Sequence, residues 1–221
     1  MRASVLEAFW ILNLVIEIPL AGIMYRRNLH RQFPIFFAYI LFQVAGFAIL
    51  FPLYHWGSST DYSFAYWITS IVCWVFGFKV IREIFSDVFR LFPAQKDMGI
   101  LLFRRAALVT AGLVFLLVCS TLFTLNDEII GMERCVRFSQ CMLILFLFRF
   151  SRYFRVSWRQ QSIGIVLGFG WLAGVSLVIS FLYSERAIQT ATLNLLNVIS
   201  YSLSLIVWIT YAAFPSVECP V

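Results

Sequence analysis

The chain has 221 residues, of which 62% are hydrophobic, 18% aromatic and only 13% charged, with a formal net charge of +6. A soluble domain carries about 25% charged and about 45–50% apolar residues, so a water-facing globule is excluded and lipid is the solvent this surface needs. In such a setting the position of the positive charge matters more than its sum, and no nucleic-acid partner is expected.

A bilayer core about 30 Å thick takes roughly 20 apolar residues in a helix. The pattern predicts an all-α fold, a polytopic seven-transmembrane-helix bundle, as a single transmembrane domain over 1–221. The spans fall near 4–25, 33–54, 63–84, 101–125, 129–150, 161–183 and 191–213.

The first span carries Glu7, Trp10, Asn13 and Glu17 in one helical stripe. It begins like a signal peptide, with Arg2 before an apolar run. Glu7 interrupts that run, Arg26, Arg27 and Arg31 follow it directly, and no small-x-small cleavage site stands out, so a retained span is expected. The second span places Tyr39, Gln43 and Gly46 on one side. Gly57, Ser58, Ser59, Thr60 and Asp61 break it from the third.

The third span runs on into an amphipathic pattern. Ile81, Ile84, Phe85, Val88, Phe89 and Phe92 share one helical face, Arg82, Glu83, Asp87 and Arg90 the other, and Pro93 stops the run. Two readings follow: an interfacial helix that docks a cytoplasmic partner, or, more plainly, a span that overshoots the membrane or rests on headgroups.

Asn126, Asp127 and Glu128 separate spans four and five. The fifth holds Glu133, Arg137 and Gln140, spaced four and three apart, and Arg134 in its outer half. The sixth has two small-xxx-small pairs, Gly164 with Gly168 and Gly170 with Gly174, which suit close helix approach within the monomer more than a dimer seam. Ser184, Glu185 and Arg186 precede span seven, where Asn194, Asn197, Tyr201 and Ser204 recur on one face. The cysteines (Cys73, Cys119, Cys135 and Cys141 in helices, Cys219 in the tail) lack metal or disulfide spacing and are read as packing residues.

Lys and Arg set the orientation. Arg26, Arg27 and Arg31 follow span one. Lys79, Arg82, Arg90, Lys96, Arg104 and Arg105 flank the connection after span three, and Arg149, Arg152, Arg155 and Arg159 follow span five. These connections are expected in the cytoplasm, with the N-terminus outside and the C-terminus inside.

Ionisable groups in a span are costly and normally face the bundle interior. The stripes of spans one, two, five and seven can point to one axis. This nominates Asn13, Glu17, Gln43, Glu133, Arg137, Gln140, Asn194, Asn197 and Tyr201 as a ligand-binding site or a buried polar network. Arg137 has two candidate carboxylates, Glu17 from another span and Glu133 one turn away. The functional reading is a polar cavity for a small ligand or solute; the plain one is hydrogen-bonded glue between helices.

Several chemistries lack their residues. His30 and His55 lie on opposite sides, so a histidine zinc site is out of reach. Mid-span aspartates, a GxSxG elbow with a histidine base, a Gly-rich phosphate loop and a span-seven lysine for retinal are all missing from the sequence. No catalytic residue, metal or cofactor is expected. Asn197 to Tyr201 echoes a receptor NPxxY motif, but the proline is missing and Lys79-Val80-Ile81-Arg82-Glu83 stands where Asp-Arg-Tyr belongs, so a G-protein-coupled receptor is rejected.

A shift of 128 residues lays spans one to three on five to seven and matches Tyr25, Arg27, Arg31, Gln32, Ile35, Ala45 and Gly46 to Tyr153, Arg155, Arg159, Gln160, Ile163, Ala173 and Gly174. Parallel repeats of that kind occur in the SWEET sugar transporters, although Pro19 and Pro34 have no counterparts. Phe33-Pro34-Ile35-Phe36-Phe37-Ala38-Tyr39, Arg152-Tyr153 through Ser157-Trp158-Arg159, and Gly164-Ile165-Val166-Leu167-Gly168-Phe169-Gly170 resemble segments of an uncharacterised seven-transmembrane-helix family of soil bacteria with no known activity. The resemblance implies a bacterial inner-membrane setting and no chemistry.

The leading expectation is therefore a small-ligand binding or sensing membrane protein. Without an output domain it needs a cytoplasmic or membrane protein partner. A small-solute transporter of three-plus-one-plus-three type and a structural subunit of a membrane complex are the alternatives. Cysteines introduced at Ser58 and Glu185 are expected to react with an impermeant maleimide on intact cells, and one at Gln95 is not. Labelling at Gln95 would reverse the orientation.

Overall fold

Hydrocarbon offers no partner for a backbone N–H or C=O, so a chain of this composition must close its hydrogen bonds within helices. The computed structural model describes residues 2–89, 101, 104–105, 108, 112, 128–153, 160–184 and 190–214. These form α1 (Arg2–Arg26), α2 (Leu29–Gln32), α3 (Pro34–Trp56), α4 (Ser59–Val88), α5 (Glu128–Tyr153), α6 (Gln160–Ser184) and α7 (Thr190–Ala213). No strand occurs among the described residues, and the fold is an all-α helical bundle. Most of the span expected at 101–125 lies outside them, as do Cys119, Arg186 and Cys219. The chain divides within α4 into two compact units, Met1–Glu83 and Ile84–Val221.

Among the described residues five helices are long and apolar enough to cross a membrane: α1 from Glu7, α3, α4, α6 from Gln161 to Leu182, and α7 from Thr192. Their outward faces carry Ile11, Val15 and Ile18 on α1, Ile49 on α3, Phe64, Ile68 and Ile71 on α4, and Val178 on α6, all exposed. Contiguous apolar surface of this extent is not tolerated in water. The chain is a helical transmembrane protein. The helix at the fifth expected span, α5, falls outside this group because it includes Glu128, Glu133, Arg134, Arg137, Arg149 and Arg152.

In the first unit α1 packs on α3. Asn28 makes the turn between α1 and α2 with φ 57°, a left-handed conformation that asparagine tolerates better than most residues. α3 then opens on Pro34 at its first position, behind Phe33, which has no side-chain oxygen to cap the exposed N–H groups. Glu83 supplies the missing acceptor from α4. Its two carboxylate oxygens accept the N–H groups of Ile35 at 2.8 Å and Phe36 at 2.9 Å. A carboxylate there also meets the positive end of the helix dipole. At the other end of α4, Ser58 Oγ accepts the Asp61 N–H at 3.1 Å and donates to the Asp61 carboxylate at 2.7 Å, a capping pair that starts the helix.

The amphipathic stretch is the end of α4, continuous with the third span. Ile81, Ile84, Phe85, Val88 and Phe89 are all buried. This favours the overshooting span over a face that docks a partner. The opposite face is only partly solvated: Arg82 is exposed, whereas Glu83 and Asp87 are half-buried and hydrogen-bonded. In the second unit Phe85 and Phe89 stack with Phe150 of α5, with centroids at 5.9 and 5.0 Å. Asp87 accepts a hydrogen bond from Ser162 of α6 at 2.7 Å.

α6 packs between α5 and α7. Gly164 and Gly168 face α7, where a Cβ would collide with Tyr211 and with the Trp208 indole respectively. The close approach lets Trp208 Nε1 donate to the Ile165 carbonyl at 3.2 Å and Ser204 Oγ to the Gly168 carbonyl at 3.1 Å. This Gly pair thus works within the chain. Gly170 lies toward Ile144 with room for a methyl, and Gly174 has nothing nearby among the described residues. Gly168→Ala is expected to destabilise the protein by about 1–3 kcal/mol through overpacking, read as a lower unfolding temperature in detergent, whereas Gly174→Ala leaves it unchanged. Equal effects would remove the tight α6–α7 seam.

Candidate functional site

The expected polar residues are gathered in two sets, one inside each unit. In the first, α1 holds Asn13 and Glu17 at 8% and 4% exposure, so this stripe is turned inward while Ile11, Val15 and Ile18 cover the outside. On α3, Tyr39 is buried and Gln43 half-buried. Gln43 uses both ends of its amide, with Nε2 donating to the Tyr39 hydroxyl at 3.0 Å and Oε1 accepting from the Cys73 thiol of α4 at 3.2 Å. Gly46, on the same side, lets α4 approach: a Cβ there would stand 3.2 Å from Thr69 Cγ2. A side-chain amide satisfied across a tight helix contact is packing glue, with each such bond contributing about 0.6 kcal/mol in membrane proteins.

The second set is different because it is built on cations. Three and four residues bring side chains onto neighbouring positions of one helix face. This aligns Glu133, Arg134, Arg137 and Gln140 on the side of α5 that looks toward α6. Glu133 is the carboxylate within reach of Arg137, 3.7 Å away, with the two side chains 30% and 18% exposed. Arg137 Nη1 also approaches Gln140 Oε1 at 3.4 Å, and Gln140 itself is buried. Both distances are long against the 2.7–2.9 Å of a tight charge-assisted bond. Arg134 reaches across to α6, where its Nη2 donates to the Ser180 carbonyl at 3.0 Å and its guanidinium lies 5.3 Å from the centre of the Phe181 ring. Its partners are therefore a neutral carbonyl and a ring face. The Nε–H groups of Arg134 and Arg137 are both buried and have no acceptor among the described residues.

The α7 stripe bonds in part to the other side-chain and carbonyl groups of α6. Asn197 is half-buried and its Oδ1 accepts from Ser176 of α6 at 3.3 Å. Tyr201 sets its ring edgewise to Trp208 at 6.3 Å, and Ser204 is fully buried on the Gly168 carbonyl. Asn194, one turn into α7, is exposed.

Sequence reasoning did not nominate Arg134, Ser176, Ser180 or Glu83. Arg134 is one residue from Glu133 and three from Arg137, so its spacing was a usable signal. Serines at membrane depth carry little signal, because a hydroxyl can bond its own helix backbone. The cue for Glu83 was the absence of a capping residue at Phe33. Among the described residues no group of three or more His, Cys, Asp or Glu side chains is placed to hold a metal ion. Comparisons with protein-family models, with curated proteins and with solved structures find no match.

A guanidinium that is mostly withdrawn from solvent leaves its partners unpaired when removed. Arg137→Leu is expected to lower stability by about 1–3 kcal/mol, since Arg137 and Glu133 are only partly buried. Arg152→Leu, at an exposed position, is expected to change it by less than about 0.5 kcal/mol. Thermal unfolding in one detergent compares them, and equal losses would show that Arg137 is effectively solvated.

Proposed function

We propose that this is a multi-pass protein of a bacterial inner membrane, with seven spans and its N-terminus outside, that binds a small ligand in the polar cluster of α5 and α6. The observation that carries the reading is the pair of arginines on the α6-facing side of α5, whose Nε–H donors are buried yet unused. Helix glue needs matched donors and acceptors, as Gln43 has. Unused buried donors on a helix face packed against its neighbour are what a ligand site requires. Burial of Ser139, Gln140, Leu143, Ile144 and Leu147 on α5 supports α5 as a span despite its charges, with α6 shielding its polar face. The signal leaves through a cytoplasmic or membrane protein partner, because the described chain is all bundle.

A second reading is a small-solute transporter with a duplicated three-helix unit. It is favoured by the sequence matches at the 128-residue shift, which lay Tyr25, Arg27 and Arg31 on Tyr153, Arg155 and Arg159.

Mass spectrometry of small molecules released from the gently purified protein tests binding. A retained compound is expected on the wild type and strongly depleted on Arg137→Leu. Equal retention on both would remove the α5 cluster as its site. Uptake of that compound into proteoliposomes would favour the transporter over the sensor.

A further inference from the structure

We propose that the ligand of the α5–α6 cluster is a small oxyanion, a carboxylate or phosphate group, held by the guanidinium groups of Arg134 and Arg137. This rests on the ligand-binding reading above and adds the chemical class.

Among the described residues the charges do not balance locally. Arg134 and Arg137 lie one turn apart on α5, and the carboxylate that the described residues place on them is Glu133, on Arg137. Arg134 is matched by the Ser180 carbonyl and the Phe181 ring, which stabilise a cation without neutralising it. The geometry is also incomplete. Each guanidinium keeps a buried Nε–H with no acceptor among the described residues. The edge formed by Nε–H and a neighbouring Nη–H takes two oxygens of one carboxylate or phosphate side by side. The unused donors are therefore of the kind that reads an oxyanion, and a neutral polyol would leave the excess charge uncompensated in a low-dielectric setting.

Glu133 is the internal competitor. At 3.7 Å and partly exposed, it is engaged loosely enough to yield its place on Arg137 to an incoming anion. The same chemistry is available from a free metabolite-sized anion and from the phosphate of an anionic lipid. Arg137 lies eight residues beyond position 129, where the sequence pattern opens the fifth span, about 12 Å along the helix at 1.5 Å per residue, which favours the free anion.

The test uses the full chain in a neutral detergent after extensive washing, with thermal unfolding followed against sodium phosphate and sodium acetate at ionic strength held constant with chloride. A parallel arm adds phosphatidylglycerol, with phosphatidylcholine as control. The expected result is a saturable rise in unfolding temperature with an oxyanion. Glu133→Gln, which keeps the side-chain shape and removes the competing charge, should tighten the apparent Kd by about tenfold, and Arg137→Lys, which keeps the charge and loses the fork, should weaken it by about tenfold. Saturation by phosphate or acetate supports a free anion, and saturation by phosphatidylglycerol alone supports a lipid headgroup. Stabilisation that is absent, or that is the same in wild type and both variants, overturns the proposal. A neutral compound retained on the wild type but lost from Arg137→Leu, with no anion effect, overturns the oxyanion while leaving the binding site in place. Should Arg137→Lys fold poorly, Glu133→Gln alone decides, since an unchanged Kd there removes the competitor relation.

Discussion

Water is the universal hydrogen-bonding partner, and the bilayer core does not contain it. Each polar atom placed there must be answered by another part of the protein. That constraint explains why the longest-range side-chain hydrogen bonds among the described residues end on helix backbone or on a helix-borne hydroxyl. Glu83 closes the open N-terminus of α3, and Asp87, one turn further along α4, takes the hydroxyl of Ser162 on α6. Two acidic residues one turn apart thus each hold another helix, each within its own unit.

The same rule shapes the α6–α7 seam. A hydrophobic effect between helices is weak in lipid, so helix association relies on close packing and on bonds to carbonyls that already serve the helix ladder. Gly164 and Gly168 remove the side chains that would keep α7 away, and Trp208 and Ser204 use the space to reach the Ile165 and Gly168 carbonyls. Bulk is supplied by Trp208 against Phe169, with centroids 5.0 Å apart. Small residues on one helix and a large amphipathic one on its neighbour form a single device.

Against this background α5 stands apart: among the described residues His30 Nδ1 and Ser200 Oγ are also buried without a partner, but only α5 does this with guanidinium groups. Its ring-lined lower half, Phe146 and Phe150 against Phe85, behaves like the rest of the bundle. Its first half places two guanidinium groups where the surrounding rule demands full satisfaction, and leaves part of their donor capacity unused among the described residues. Two guanidinium groups that break the rule on adjacent turns of one helix are the natural place to look for function.

The sequence alone determined the helical class, the membrane setting and the approximate extent of the described spans, because those follow from composition and from the length of apolar runs. It also offered Glu133, one turn from Arg137 by helix geometry, as one of two candidate carboxylates for it, and it marked Asn13 and Glu17 as an inward stripe. The Gly pairs were legible as close-packing sites, but not which helix they would meet. What only the tertiary structure decided was pairing across long sequence separations: Glu83 on α3 rather than on a solvated face, Ser162 on Asp87, Gln43 with Cys73, and Arg134 on the carbonyl of Ser180. The reason is physical. A periodic pattern states which side of a helix is polar, while the identity of the partner depends on which helix the bundle brings against that side and at what height along it.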